Sequence, residues 1–294
     1  MPVGRPVRDV AATARLVHPF PSVLDGVVVT LVAIVAGGGV PVALALGVSM
    51  TLLQCAIGTV NDVVDAPRDV GHKAGKPIPA GLISVRAATI VAVAAATAGI
   101  LLAFVGGPWL AALAGIVLGI GLAYDLWAKG TTFSWLPFAI GIPLLPVYGW
   151  FGATGALPDL FLVLVPAAAV AGTALAVANA LVDMERDEAA GARSIALALG
   201  RRRAGSLVVV LHVAVTMLAV ATAVVVGAPA GWVAAILLAS AAPVGGALLG
   251  LIASGRFAAS SRELAWEVQA IGTGLLAVAW LGALSASTGI AAGA

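Results

Sequence analysis

The sequence predicts an all-α, polytopic membrane protein of about nine transmembrane helices, and three observations lead there. Of 294 residues, 62% are apolar and only 10% charged, with a mean hydropathy of +1.13, against roughly 45–50% apolar in soluble domains. Apolar runs of about 17–25 residues, the length that crosses hydrocarbon, recur from end to end. Lipid offers backbone groups no partners, so such runs must be helices, and they are too uniformly apolar for the alternating strands of a barrel. One integral-membrane domain over 1–294 is expected, with 1–21 as a cytoplasmic N-terminal segment and no soluble module.

Charged and Gly/Pro-rich breaks place the spans near 22–37, 41–61, 86–105, 109–127, 133–152, 160–182, 204–226, 230–253 and 266–288. The first follows Arg5, Arg8 and Arg15, as a signal peptide would. No small-residue cleavage site closes it and eight more spans follow, so it reads as a retained helix. The second runs from "GGGVP" into an acidic stretch, and the third from Arg86 to "GGP". The fourth ends at Lys129 and the fifth at "TGALPD". The sixth ends in a second acidic stretch, the seventh joins "GRRR" to "GAPAG", the eighth stops before Arg256, and the ninth opens in "RELAWEVQA".

The basic residues check this count. With nine spans all 15 lysines and arginines fall on one side, and the turns opposite carry none. Because Lys and Arg favour cytoplasmic loops, the N-terminus is expected in the cytoplasm and the C-terminus outside, across the plasma membrane in a prokaryote. The net charge of +2 suits loops at an anionic leaflet and gives no argument for nucleic acid. Cys55, the single cysteine, lies within the second span and has a packing role. Trp109, Trp127, Trp135, Trp150, Trp232 and Trp266 fall near span ends, as interfacial anchors do.

The chemistry concentrates in "NDVVDAPRD", residues 61–69, where Asn61, Asp65 and Asp69 are four apart and so share a helix face, with Asp62 flanking it. Pro67 predicts that the regular helix ends near Asp65 or Asp69. The spacing returns 118 residues later as Asn179, Asp183 and Asp187 in "NALVDMERD", again at the end of an even-numbered span and again before a basic loop. This pattern reads as a diverged duplication. Solvated helix ends paired with nearby Arg and Lys would explain one such cluster, but two matched copies weigh against that. Carboxylates crowded at the edge of hydrocarbon need positive charge, and their hard oxygens suit Mg²⁺, which keeps positions open for substrate phosphates. Asp62, Asp65, Asp69, Asp183 and Asp187 are therefore candidate metal ligands. Lys73, Lys76 and Arg193, with Asn61 and Asn179, are candidates for a bound diphosphate.

On these motifs the chain resembles the UbiA superfamily of intramembrane prenyltransferases over essentially its whole length. "NDVVDAPRD" resembles the family's first motif, "DMERD" its second and "GKPIPAG" its basic loop, while "YDLWAKG" is a looser match that implies Tyr124 and Lys129 near the diphosphate. The resemblance implies Mg²⁺-dependent transfer of a prenyl group from an allylic polyprenyl diphosphate to an acceptor, with Asp65, Asp69, Asp183 and Asp187 catalytic. The expected acceptor is aromatic, of the 4-hydroxybenzoate or quinone-precursor kind, or else a lipid. Alternatives are a UbiA-type terpene cyclase, phosphoribosyl transfer to a polyprenyl phosphate and, remotely, a divalent-cation transporter. Transporter sites lie near the midplane on broken helices, whereas these acids gather at one face. Asp125 is open between a salt-bridge partner and a substrate contact, and Glu263 and Glu267 between the site and a favourable charge at a helix start. His18 and His72 read as interfacial, and His212 as hydrogen-bonded between helices.

Overall fold

In a computed structural model the described residues are 14–69, 76–252 and 258–288, without the side chains of Arg68, Asp69, Ala258, Ala259 and Thr288. The expected ligands Lys73 and Asp69 thus fall, respectively, outside the described residues and outside the described side chains, and His72 is also outside. The long helices are α1 (Pro19–Val35), α2 (Val40–Asp69), α3 (Val85–Ala103), α4 (Pro108–Ala123), α5 (Leu136–Thr154) and α6 (Phe161–Val182). Two short helices follow, α7 (Met184–Ala189) and α8 (Ile195–Leu199), then α9 (Arg201–Val225), α10 (Ala230–Ile252) and α11 (Ala258–Thr288). Among the described residues eight helices are long and apolar enough to cross a membrane, and α1, at 17 residues, is the shorter apolar ninth.

Local chemistry sets the boundaries. Proline opens α1 and α4, where its missing N–H loses nothing. Ser84 caps α3 by accepting from the Ala87 N–H at 3.1 Å. The uncharged turns close on glycines such as Gly107 and Gly155, at φ 89° and 73°, a conformation that side chains disfavour. Pro67 does not end α2, which runs on through Asp69; a proline removes one backbone bond but need not stop a helix held elsewhere.

The nine long helices form a closed ring in chain order, with α11 returning to α1. α1 also reaches α5, and α11 reaches α6, so these four wall the interior. Small residues set the approach of α1 to α2: a Cβ on Gly26 would fall 2.6 Å from the Gly47 carbonyl oxygen, and one on Gly47 2.7 Å from that of Gly26. Buried polar links tie the ring further. Ser49 Oγ donates to the Gly99 carbonyl at 2.7 Å, so the Tyr148 hydroxyl must donate to Ser49 at 2.6 Å. His212 on α9 meets Gln269 on α11 at 3.1 Å, the interhelical bond expected of it. Trp109 and Trp127 face outward, as anchors do. Trp150 does not: it is buried edge-on against Phe161, because its helix turns that face to the core.

Candidate active site

α2 has 30 residues, about 45 Å at 1.5 Å per residue, and hydrocarbon is only about 30 Å thick. A span that starts at Val40 therefore leaves the last two turns, from Asn61 to Asp69, to emerge at the end of the bundle that carries the basic loops. There Asp62 is 2% exposed and is gripped by His18 Nε2 at 2.7 Å and by the Lys76 ammonium. Both partners meet one carboxylate oxygen, and the other is buried with no partner. Asp65 pairs with Lys129. Asn61 donates to Asp125 Oδ1 at 2.6 Å, so Asp125 takes a hydrogen bond from the first motif in place of the salt bridge considered for it.

Residues 124–128 form a wide turn closed by the Lys129 N–H on the Tyr124 carbonyl at 2.9 Å, an i to i+5 bond. On a regular α-helix residues five apart diverge by about 140°, but this turn puts Tyr124, Asp125 and Lys129 on one cavity wall. Such turns recur at functional sites. The second motif is built differently from the first. α6 stops at Val182, and Asp183, at φ −93° and ψ 4°, joins it to α7, so Asn179, Asp183 and Asp187 do not share one continuous helix. Asp183 pairs with Arg186. Glu185 takes bonds from Arg201 and the buried Arg262, both at 2.6 Å; desolvation works against its charge, but the two arginines hold its carboxyl below the usual range.

The two motifs nevertheless reach one space. A cavity of about 330 Å³ is lined by Asn61, Tyr124, Asp125, Lys129, Asn179 and Asp183, with His18 and Lys76 at its rim. A small recess beside it adds Asp187, and Tyr124 and Asn179 line both spaces. Arg193 is exposed and outside both linings, and its backbone N–H bonds the Gly130 carbonyl at 2.9 Å. Glu263 and Glu267 also stand apart from the cavity. Inward of the polar chamber lies an apolar cavity of about 130 Å³ among α1, α5, α6, α9 and α11, and the two share Pro21, Asp25, Phe138, Ile142, Leu145 and Trp266. Trp266, expected near a span end, lies more than two turns inside α11 and forms a cavity wall. Asp25 and the role of His18 were missed from the sequence. The signal for Asp25 was an acid inside the first apolar run, which in a membrane marks function by default.

Among the described residues no three His, Cys, Asp or Glu side chains converge as a metal cage. Of the first motif only Asn61 is among the lining residues, while Asp62 and Asp65 are held by their cations beside it. The oxygens of Asn179, Asp183, Asp187 and Asp125 that line the cavity and its recess suit a hard cation.

A polar mouth leading into an apolar interior is the layout of a membrane protein that handles an amphipathic molecule. A sequence model of the UbiA prenyltransferase family matches residues 26–266, and the chain belongs to that family. It is therefore an integral-membrane prenyltransferase. The digeranylgeranylglyceryl phosphate synthase of Thermococcus kodakarensis is 30% identical over 232 residues, 74% of this chain and 80% of that protein. A UbiA homologue from Aeropyrum pernix K1 has the same fold, with a TM-score of 0.69 at 19% identity over 87% of this chain and 96% of its own. Another, from Archaeoglobus fulgidus and bound to GPP and Mg²⁺, gives 0.62 at 17% identity over 90% and 99%.

Proposed function

We propose that the protein transfers a prenyl group from an allylic prenyl diphosphate to an acceptor, with Mg²⁺, at the cytoplasmic face. The observation that carries this is the cavity that Asn61 of the first motif, Asn179 and Asp183 of the second and the 124–129 turn line together, sharing a wall with an apolar pocket. In this reading Asp65, Asp69, Asp183 and Asp187 would hold Mg²⁺, and a homologue of the same fold is bound to GPP and Mg²⁺. When bound, Mg²⁺ offsets the charge that develops on the departing diphosphate. Lys129 and Lys76, now paired with Asp65 and Asp62, are placed to exchange those partners for diphosphate oxygens, and Tyr124 and Asn179 form the wall beside them. The apolar pocket takes the prenyl chain and keeps water from the allylic cation.

For the acceptor, the sequence suggests an aromatic ring. The name of the Thermococcus relative denotes a glyceryl phosphate bearing two geranylgeranyl groups, and that favours a lipid hydroxyl as the first substrate to try. The test is mass spectrometry of products from purified protein with Mg²⁺, geranylgeranyl diphosphate, and either geranylgeranylglyceryl phosphate or 4-hydroxybenzoate. A prenylated acceptor that disappears with EDTA is expected. A cyclised hydrocarbon formed without acceptor would instead show a terpene cyclase, and an untouched donor would contradict the reading.

A further inference from the structure

We infer that Asp25 receives the acceptor's hydroxyl at the seam of the two cavities and takes its proton during transfer. This rests on the prenyl-transfer reading and adds to it a catalytic residue, a subsite and a substrate class. α1 presents Pro21, Leu24, Asp25 and Val28 to the apolar cavity, the spacing of one helix face. The other three are apolar. An ionisable side chain on such a face is held there against a solvation cost, which calls for a purpose.

Its surroundings supply one. Asp62, Asp65, Asp125 and Asp183 are each engaged by a neighbour: His18 with Lys76, Lys129, Asn61 and Arg186 respectively. No hydrogen bond or ion pair to Asp25 is found among the described residues. Two further groups in the same wall are stranded: Trp266 Nε1 and Thr273 Oγ1 are buried without partners, and both residues line the apolar cavity with Asp25. Buried polar groups are almost always satisfied, and an exception calls for an explanation. A carboxylate, an indole N–H and a hydroxyl in an otherwise apolar wall complement a ligand that brings its own O–H.

Charge narrows the ligand class. His18, Lys76 and Lys129 line the outer cavity, whereas the lining of the apolar cavity includes no Lys, Arg or His. A carboxylate or phosphate carried past Asp25 into the apolar cavity would meet a like charge where the lining offers no counter-ion. The group that reaches Asp25 is therefore a neutral hydroxyl, and any anionic part of the acceptor stays at the basic mouth. In the reaction the donor's C1–O bond breaks and its electron pair leaves with the diphosphate. The acceptor oxygen forms the new C–O bond to C1, and its proton passes to the Asp25 carboxylate. The products are an ether and diphosphate.

The experiment uses the full chain with Mg²⁺, geranylgeranyl diphosphate and geranylgeranylglyceryl phosphate. Asp25→Asn keeps the size of the side chain but cannot accept the proton. Ether formation is expected to fall in kcat by roughly 100-fold or more, the usual worth of a general base. Mg²⁺-dependent donor affinity should stay at wild-type level, which also reports that the variant is folded. Asp25→Glu should recover a substantial part of the lost rate. Wild-type ether formation by Asp25→Asn overturns the inference, and so does parallel loss of donor binding in both variants, which would make Asp25 structural or part of the donor site. Wild-type protein that prenylates only a ring carbon of 4-hydroxybenzoate overturns the inference and leaves prenyl transfer standing; wild-type protein that never cleaves the donor defeats both.

Discussion

Lys76 and His18 converge on one oxygen of Asp62, whose side chain is 1% exposed against 19% for that of Lys76 and 32% for that of His18. Removing one partner of such a pair leaves a charge stranded. Lys76→Met should therefore destabilise the protein by about 3 kcal/mol, the lower end of the range for broken buried pairs because the lysine is partly exposed. Asp62→Asn in the same background should restore most of the loss. Thermal unfolding in detergent across the double-mutant cycle is the check, and additive losses would show that the pair does not interact. The pairing was only half legible in sequence. The acids declared themselves by gathering in a chain with few charges, but which cation meets which acid depends on how the 76–83 loop and the start of α1 fold over α2. His18, held at φ 48°, the one non-glycine residue with positive φ among those described, looked interfacial for that reason. Asp25 was hidden differently: one acid in an apolar run carries no motif, and its position at a seam between cavities exists only once α1, α5 and α11 are packed.

The 124–129 turn is the element whose geometry matters most to the site. Its i to i+5 closure compensates for a five-residue spacing that a regular helix would splay, and it brings Lys129 to Asp65. Trp127 lies on this turn and is 76% exposed, so it contributes little packing inside the bundle. Inserting one alanine after Trp127 should lengthen the spacing from Tyr124 to the lysine to six residues, which neither this turn nor an α-helix keeps on one face, and swing Lys129 off the cavity wall. Donor turnover should drop by roughly 100-fold, the scale seen for ångström-sized misplacements, with the melting temperature nearly unchanged. Turnover close to wild type would show that the turn is not needed. Hydropathy placed every long helix, since membrane thickness fixes both length and composition. It could not show that α2 runs past Pro67, because the acidic turns beyond the apolar run are helical by packing and continuity. Nor could matched spacing reveal that the second motif is broken at Asp183. The spacing is alike in the two copies, but the backbone is not.

For the whole molecule, a closed ring puts the ends of α2, α4 and α6 at the same pole as the starts of α1, α3, α5, α9 and α11. That pole holds the described basic residues, and the proposed function has it face the cytoplasm. Reporter fusions after Lys129 and after Arg203 should both read cytoplasm, and one after Gly155 should read outside; a split between the first two would break the shared site. The central claim is that two distant acidic motifs act on one diphosphate. It is tested most directly by Mg²⁺-dependent binding of geranyl diphosphate, followed by titration calorimetry, to wild type, Asp65→Ala and Asp183→Ala. Each carboxylate would hold metal to the same ligand, so each variant alone should lose nearly all Mg²⁺-dependent affinity while keeping its elution profile in detergent. Wild-type affinity in either variant would contradict the account, because a site that ignores one motif is not shared by two.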